Sequence, residues 1–319
     1  MKKYASLGLT LLFTFGLLAG ASAENIPVRV GALKGPTAMG MVKMMSDLNE
    51  EDFSFSISAA IDEIIPQVVQ GKLDVTALPA NLASVLYNNT QGELYVLAIN
   101  TLGVLYIVET GDTIQRIEDL RGRTLFASGK GATPEFALNY LLSSNGIDPE
   151  TDVTIEWKAE HAECVAALAA SENGIAMLPQ PFVTTAQMKN SAIRIALDLT
   201  EEWQKNIAAE NHGSLVTGVI VARKAFADEN PDKIAAFLDA YAQSVSYVNT
   251  HIPEAAALIA QYDIVPAQVA EKALPYCNIV LIEGFEMQQA LSGYLSVLLA
   301  QNEKSIGGAL PDATFYYAR

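Results

Sequence analysis

The sequence predicts an α/β protein built on mostly parallel sheets and arranged as two similar halves. Three observations carry that reading. Short apolar or alternating runs of strand character alternate with amphipathic helical runs, the pattern of βαβ units. A unit of strand, loop rich in Gly, Lys, Pro and Thr, and helix occurs twice, at Val28 to Leu48 and at Thr124 to Leu142. Two extended, partly β-branched segments, Leu102 to Glu109 and Val216 to Ala222, stand between the halves as crossings.

The chain has 319 residues, room for two domains of ordinary size. Half of it is hydrophobic and only 18% is charged, which excludes a disordered chain. A net charge of −16 argues against a nucleic-acid partner, which needs a basic face. A small anionic ligand stays compatible, because a pocket's local field can oppose the overall charge. Two cysteines, Cys164 and Cys277, are too few for a disulfide framework or a zinc ribbon; they either pair or stay as buried thiols.

Residues 1–23 read as a cleavable secretory signal: Lys2 and Lys3, a leucine-rich core from Leu7 to Leu18, then Ala21-Ser22-Ala23. Ala21 stands where a lipoprotein signal needs cysteine, so an exported protein beginning at Glu24 is expected, periplasmic or secreted. Losing Lys2 and Lys3 takes the net charge from −16 to −18. No other apolar run approaches membrane-spanning length.

Val28 to Leu33 is the first strand. It runs into Lys34-Gly35-Pro36-Thr37 and a helix with Ala38, Met41, Val42, Met45 and Leu48 on one face. At helical spacing those methionines are core rather than a soft-metal cluster. Phe53 to Ser58 alternates as a strand, and Ile64, Ile65, Val68 and Val69 mark the next helix, with Pro66 tolerated near its start. Lys72 to Pro79 is a turn and strand, and Asn81 begins a short helix. Leu94 to Ile99 is a buried strand closing on Asn100-Thr101. After the first crossing, Asp112 to Arg123 is charged and solvated.

The second half opens on the strand Leu125-Phe126-Ala127. Gly129 and Gly131 then allow positive φ, Thr133 suits an N-cap and Pro134 suits N1. Backbone N–H groups at such a helix start make a seat for an anionic or strongly polar group, which Lys130 would strengthen. The loop is neither a Walker loop nor a dinucleotide fingerprint, since Pro134 replaces the third glycine. Val153 to Trp157 is an alternating strand, Glu163 to Ala170 an alanine-rich helix and Gly174 to Pro179 a strand. Gln180-Pro181-Phe182 starts another helix, and Ile193 to Leu199 is apolar with Arg194 and Asp198 turned outward. Beyond the second crossing the pattern is helical, from Pro231 after Asn230 to a last long helix carrying Met287, Leu291, Tyr294, Leu295 and Leu298.

Catalytic signatures are sparse. His161-Ala162-Glu163 matches half of a zinc-deaminase motif, but the Pro-Cys-x-x-Cys half is missing, so no metal site is expected. His212 and His251 stand alone, and no G-x-S-x-G elbow supports Ser128 as a nucleophile. Phe315, Tyr316 and Tyr317 either pack the tail down or line a groove. An exported enzyme would need a positioned acid or base, for which Glu283 and His212 are the available groups.

The succession of leader, VRVGALKGPTAMG, GKLDVTALPAN, LRGRTLFASGKGATPEFALNYLL, GIAMLPQPFVTTA and a returning strand resembles bacterial ABC-transporter solute-binding proteins. Within these it looks like the SsuA/THI5-like group, the nitrate-, sulfonate-, taurine- and thiamine-precursor-binding proteins. The resemblance covers essentially all of the mature chain and speaks to fold and transport role more than to ligand. It implies the two-lobed type II periplasmic-binding-protein fold, with two hinge crossings and ligand in the cleft between. Lobe one would be residues 24–106 and 216–319, lobe two residues 107–215. Cleft residues would come from strand-to-helix loops: Lys34, Gly35, Pro36, Thr37, Ala59, Asn81, Asn100, Ser128, Gly129, Lys130, Thr133 and Gln180. Helix N-termini at Thr37 and Thr133 would orient the ligand, and Lys130 would neutralise an acidic group. The implied partners are a small-molecule ligand (a sulfonate, a thiamine precursor or a related heterocycle or acid) and an ABC permease with its ATPase. No cofactor is implied, and a monomer is expected. Thiamine-pathway pyrimidine synthases share the fold but carry a cysteine-rich motif absent here. Menaquinone-pathway dehydratases also share it but are cytoplasmic. A ligand-sensing domain would use the same cleft.

Overall fold

The computed structural model describes residues 26–206 and 213–319. The predicted leader, the start at Glu24 and His212 lie outside them. The chain first builds β1 (Val28–Leu33), β2 (Phe53–Ser58), β3 (Val75–Pro79) and β4 (Leu94–Leu102). It then crosses to a second sheet made of β5 (Leu105–Thr110), β6 (Thr124–Ser128), β7 (Thr154–Lys158), β8 (Ile175–Pro179) and β9 (Ile193–Asp198). It returns with β10 (Val216–Arg223) and β11 (Ile279–Ile282). The sheet orders are β11-β4-β10-β3-β1-β2 and β7-β6-β8-β5-β9. Setting the edge strand β11 aside, the two sheets follow one plan. This is the two-lobed α/β architecture that the sequence predicts.

Strand direction needs a correction. β1 pairs parallel with β2 and β3, and β6 pairs parallel with β7 and β8. But β10 lies between β3 and β4, antiparallel to both, and β5 lies between β8 and β9, antiparallel to both. A strand delivered from the other lobe enters at the carboxyl ends of the parallel strands and has to run back. A buried apolar run reads the same in either direction, so the sequence pattern does not reveal this insertion. The predicted crossing Leu102–Glu109 also divides. Leu102 closes β4, and Tyr106, assigned from the resemblance to the first lobe, pairs with Leu178 and Asp198 in the second sheet.

The predicted first helix is two, Pro36–Met39 and Val42–Asp47, broken at Gly40. A Cβ there would stand 2.8 Å from the Tyr241 hydroxyl and 2.9 Å from Ile279, so the close approach of those side chains requires glycine. The unforeseen β11 is a four-residue apolar run between helices, too short to tell from a helix segment by periodicity.

The largest hydrophobic core runs through both lobes. It joins Leu78 and Ile99 of the first to Leu105, Leu125 and Leu138 of the second, with Met287, Leu291 and Tyr294 of the helix Gly284–Gln301 between them. The buried Trp203 indole donates to the Gly213 carbonyl at 3.1 Å and packs between the rings of Tyr140 and Tyr294. Each lobe also has a buried carboxylate at the pole away from the strand carboxyl ends. Asp74 accepts from Arg29 at 2.6 and 2.8 Å and from Arg223 at 2.6 Å. Glu109 accepts from the Thr113 and Ile114 backbone and from Arg194. The tail is packed down: Phe315 is buried against Tyr87, and Tyr317 lies on Tyr95. Cys164 and Cys277 are free and buried.

Candidate ligand-binding cleft

In each lobe the parallel strands deliver their carboxyl ends to one side, where ligands of open α/β sheets bind. The loops after β1, β2 and β3 in the first lobe meet those after β6, β7 and β8 in the second. Between them lie three cavities of about 260, 90 and 80 Å³, each lined by both Lys34 and His161. Lys34 directly follows β1 in the first lobe, and His161 opens the helix His161–Ala169 in the second.

Seven of the twelve residues expected at the site fall on or beside these cavities. Lys34 lines all three, and its Nζ lies 3.6 Å from the exposed carboxylate of Asp263. Gly35 is the N-cap of the helix Pro36–Met39. Pro36 and Thr37 line the 90 Å³ cavity, with the Thr37 hydroxyl donating to the Leu33 carbonyl at 2.7 Å. Ala59 lines two cavities, and Ser128 and Gly129 line the smallest. Gly129 has φ of +83°, and a Cβ there would press on Pro134 at 2.8 Å, so the turn requires glycine.

The other five sit elsewhere. Asn81 and Thr133 are completely buried and tie the lobes together. Asn81 Nδ2 donates to the carbonyls of Gly131 at 3.3 Å and Ser305 at 3.0 Å. Thr133 Oγ1 donates to Asn81 Oδ1 at 3.3 Å and accepts from Tyr294 at 3.1 Å. The N-cap of that helix is Ala132, so Thr133 is its first helical residue, and its hydroxyl is committed across the lobe boundary. Asn100 is buried in β4 with Oδ1 accepting from Thr101, while Nδ2 has no partner among the described residues. Gln180 turns back on its own helix, its Oε1 accepting from the Thr184 N–H at 3.3 Å and hydroxyl at 2.9 Å, and it borders a separate groove of about 720 Å³. Lys130 is exposed at the apex of its loop, and none of the cavities described above is lined by it.

His161 was visible in the sequence only as half of a metal motif. Its Nδ1 lies 2.5 Å from Ser128 Oγ, and its ring packs 5.0 Å from that of Phe182. Burial pushes its pKa down to about 4, so the imidazole is neutral at neutral pH. Cys164, one turn on, hydrogen-bonds with Ser128, and burial pushes its thiol up to about 11. The Glu163 of the His-x-Glu pair accepts from the N–H groups of Ala159 at 2.9 Å and Glu160 at 3.3 Å, a helix cap rather than a metal arm. Among the described residues no cluster of His, Cys, Asp and Glu is placed to hold a metal ion. A signal for His161 did exist. It follows β7 as Ile61 follows β2, each two residues ahead of a capping glutamate. Of the two groups considered for acid–base work, Glu283 is bound to Arg319 at 3.0 Å and His212 lies outside the described residues.

The chain matches the model of a family described as the phosphonate ABC-transporter periplasmic substrate-binding protein over residues 39–273. No curated protein matches it by sequence. Solved structures match over most of their length. An ABC transporter protein from Parabacteroides distasonis is 21% identical with a TM-score of 0.75, covering 92% of this chain and 99% of its own. The periplasmic aliphatic sulphonate-binding protein SsuA from Escherichia coli is 16% identical with a TM-score of 0.69, covering 91% and 95%. The alkanesulfonate-binding protein SsuA from Xanthomonas axonopodis pv. citri, bound to MOPS, is 15% identical with a TM-score of 0.69, covering 91% and 96%. At these identities the likeness establishes the fold. Among the described residues no helix is long and apolar enough to cross a membrane.

Proposed function

The chain belongs to the periplasmic substrate-binding family of phosphonate ABC transporters, and on that premise we propose that it captures a small polar organic ligand between its lobes and hands it to a membrane permease with its ATPase. The observation that carries this reading is the meeting of Lys34 and His161, from opposite lobes, on the same cavities. Closure would be hinged where the chain crosses, between Leu102 and Leu105 and again ahead of Val216. Ligand contacts made to both lobes at once would bias it toward the closed state. The first lobe would supply Lys34, Thr37 and Ala59; the second would supply Ser128, Gly129 and His161. Lys34 would hold an acidic group, and the His161–Ser128 pair would hydrogen-bond the ligand. A sulfonate, a thiamine precursor or a related heterocyclic acid fits this chemistry. The protein would work as a monomer outside the cytoplasmic membrane.

Native mass spectrometry of the purified protein, followed by a thermal-shift screen of sulfonates, thiamine precursors and aromatic acids, tests the proposal. A co-purifying small molecule that also raises the melting temperature is the expected result. A broad screen that moves nothing defeats the receptor reading. An exported enzyme on the same fold has one observation in its favour, the hydroxyl-to-imidazole contact of Ser128 and His161. Turnover of a bound ligand that is lost in His161→Gln, with binding retained, would select it.

A further inference from the structure

We infer that the groove of about 720 Å³ beside the helix Phe182–Lys189 is a second ligand site, built for an uncharged carbonyl compound with an apolar body. It lies apart from the cleft. Phe182, Thr185 and Lys189 of that helix line the cleft cavity of about 260 Å³, whereas Thr184, Gln187 and Met188 line the groove. No residue lines both the groove and a cleft cavity. Tyr106, the second residue of β5, faces the groove from the hinge end of the second lobe, and Lys272 and Tyr276 face it from the first. An occupant would therefore touch both lobes. The groove is larger than the three cleft cavities together and falls within the range of roughly 300–1,000 Å³ typical of small-molecule sites.

Two donors on this groove are unanswered. Gln180 is 2% exposed, and its Oε1 is held by the N–H and hydroxyl of Thr184. That bond fixes the amide and leaves Nε2 with no partner among the described residues. Tyr106 is 7% exposed, and its hydroxyl has no partner among them either. Burial, and after it the charge of Asp198, push the phenol up to about 12, so it stays a neutral donor at neutral pH. Two donors on immobile side chains call for an acceptor, and the carboxylate beside them decides which kind. Asp198 lies opposite Tyr106 on β9 and lines the same groove, fixed there by the Thr200 N–H at 2.8 Å. A ligand carboxylate on the two donors would meet that charge, whereas a neutral carbonyl accepts both hydrogen bonds without the repulsion. Lys272 is exposed on the facing lobe, where solvent and salt screen it. The apolar body has its own seat. Met188, Ile195 and Tyr276 are three of the seven large apolar side chains exposed among the described residues, and all three line this groove. Such a concentration marks a binding surface, and the flexible thioether of Met188 adapts to flat or branched shapes.

The test is methyl NMR of the intact mature protein labelled with carbon-13 at methionine, with the Met188 signal assigned by Met188→Leu. Hexanamide, acetanilide and hexanoate are the probes. Both amides should shift the Met188 signal saturably and leave in place those of Met39 and Met41, at the end of the cleft helix Pro36–Met39 and just beyond it. Hexanoate should bind at least about fivefold more weakly than hexanamide. Gln180→Glu keeps an acceptor for Thr184 but turns a carboxylate to the groove, and Tyr106→Phe keeps the ring and removes the hydroxyl. Each should weaken hexanamide by at least about fivefold, the loss expected for one hydrogen bond. If Gln180→Glu does not fold, Tyr106→Phe decides alone. A Met188 signal that neither amide moves, hexanoate as tight as hexanamide, or amide affinity unchanged in the folded variants overturns the inference. So does a shift at Met39 or Met41 without one at Met188, which would place the amide in the cleft. None of these results bears on capture of a ligand in the cleft, so the receptor reading stands or falls separately.

Discussion

The two lobes share one strand order, yet they bring different chemistry to the cleft. After β2 the chain reads Ala59-Ala60-Ile61-Asp62-Glu63, and after β7 it reads Ala159-Glu160-His161-Ala162-Glu163. In both loops the glutamate caps the N–H groups two residues ahead of the helix. What differs is the residue between, isoleucine in one lobe and histidine in the other. The loops after β1 and β6 behave alike. Both carry glycine, lysine, proline and threonine, but Lys34 leaves directly from its strand and stays on the cavities, while Lys130 rides on an exposed apex between two glycines. Repeated residues build the scaffold, and where the repeat breaks, at His161, the side chain lines the cavities between the lobes.

The far poles of the lobes offer the sharpest way to break the comparison. Asp74 joins β1, β3 and β10 through two arginines, whereas Glu109 binds one arginine and a turn of backbone N–H groups. Asp74→Ala leaves two guanidinium groups facing a buried gap and should cost about 3–5 kcal/mol in urea unfolding. Glu109→Ala should cost less, because it strands one guanidinium, Arg194, together with the neutral Thr113 and Ile114 N–H groups. Equal losses would show that the poles are interchangeable. Both carboxyls would be raised by burial alone, but hydrogen bonds hold them below their ordinary range: Arg29 then Arg223 for Asp74, and Ile114 then Thr113 and Arg194 for Glu109. A folded-state pKa that is depressed contributes stability above the unfolded carboxylate pKa and loses it as pH falls through the folded value. Stability should therefore fall below about pH 4, with a shallower acid limb in Asp74→Asn.

The paired lysines come next. Lys34→Ala should weaken binding of an acidic ligand by about 1.5–3 kcal/mol in calorimetry, the worth of a hydrogen bond to a charged group. Lys130→Ala should leave affinity unchanged. The reverse ranking would return the ligand to the glycine loop of the second lobe, where the sequence places it.

The residue that breaks the repeat should have a smaller effect. His161→Gln keeps a hydrogen-bonding group and should cost about 0.5–1.5 kcal/mol of affinity. Because the imidazole titrates near 4, wild-type affinity should be flat from pH 8 to 6, and an inflection at the ordinary histidine value would show a solvated ring instead. The histidine pKa is depressed in the fold, so its contribution to stability is complete above about 6.5 and is lost as pH falls toward 4.

Much of the fold was legible because periodicity reports burial, and burial drew the strands and helices at nearly their observed bounds. The cleft was legible as a set of strand-to-helix loops, which is why Lys34, Pro36, Thr37, Ala59, Ser128 and Gly129 were expected at cavities they do line. The rest depends on direction and distance, which a one-dimensional pattern lacks. Nothing in Asn81 or Thr133 distinguishes a polar side chain aimed at a ligand from one bonded across a lobe boundary. Nothing in Gly129-Lys130-Gly131 says that the lysine points away.

Thr133 makes that ambiguity measurable. Its hydroxyl donates to Asn81 and accepts from Tyr294 in a fully buried chain of long hydrogen bonds, 3.1 to 3.3 Å, on the side where one hydrophobic core spans both lobes. Thr133→Val keeps the volume and removes the hydroxyl, leaving Asn81 Oδ1 without that donor. Bonds of this length contribute modestly, so the loss in unfolding free energy should be about 1 kcal/mol. Ligand affinity should stay within about twofold, because the contact lies in the joint and not on the cavities. A drop of tenfold in affinity with stability unchanged would mean that the hydroxyl faces the ligand, as an N-cap at Thr133 would have it. The second lobe would then present its helix start to the cleft, and the asymmetry between the lobes would extend to their glycine loops.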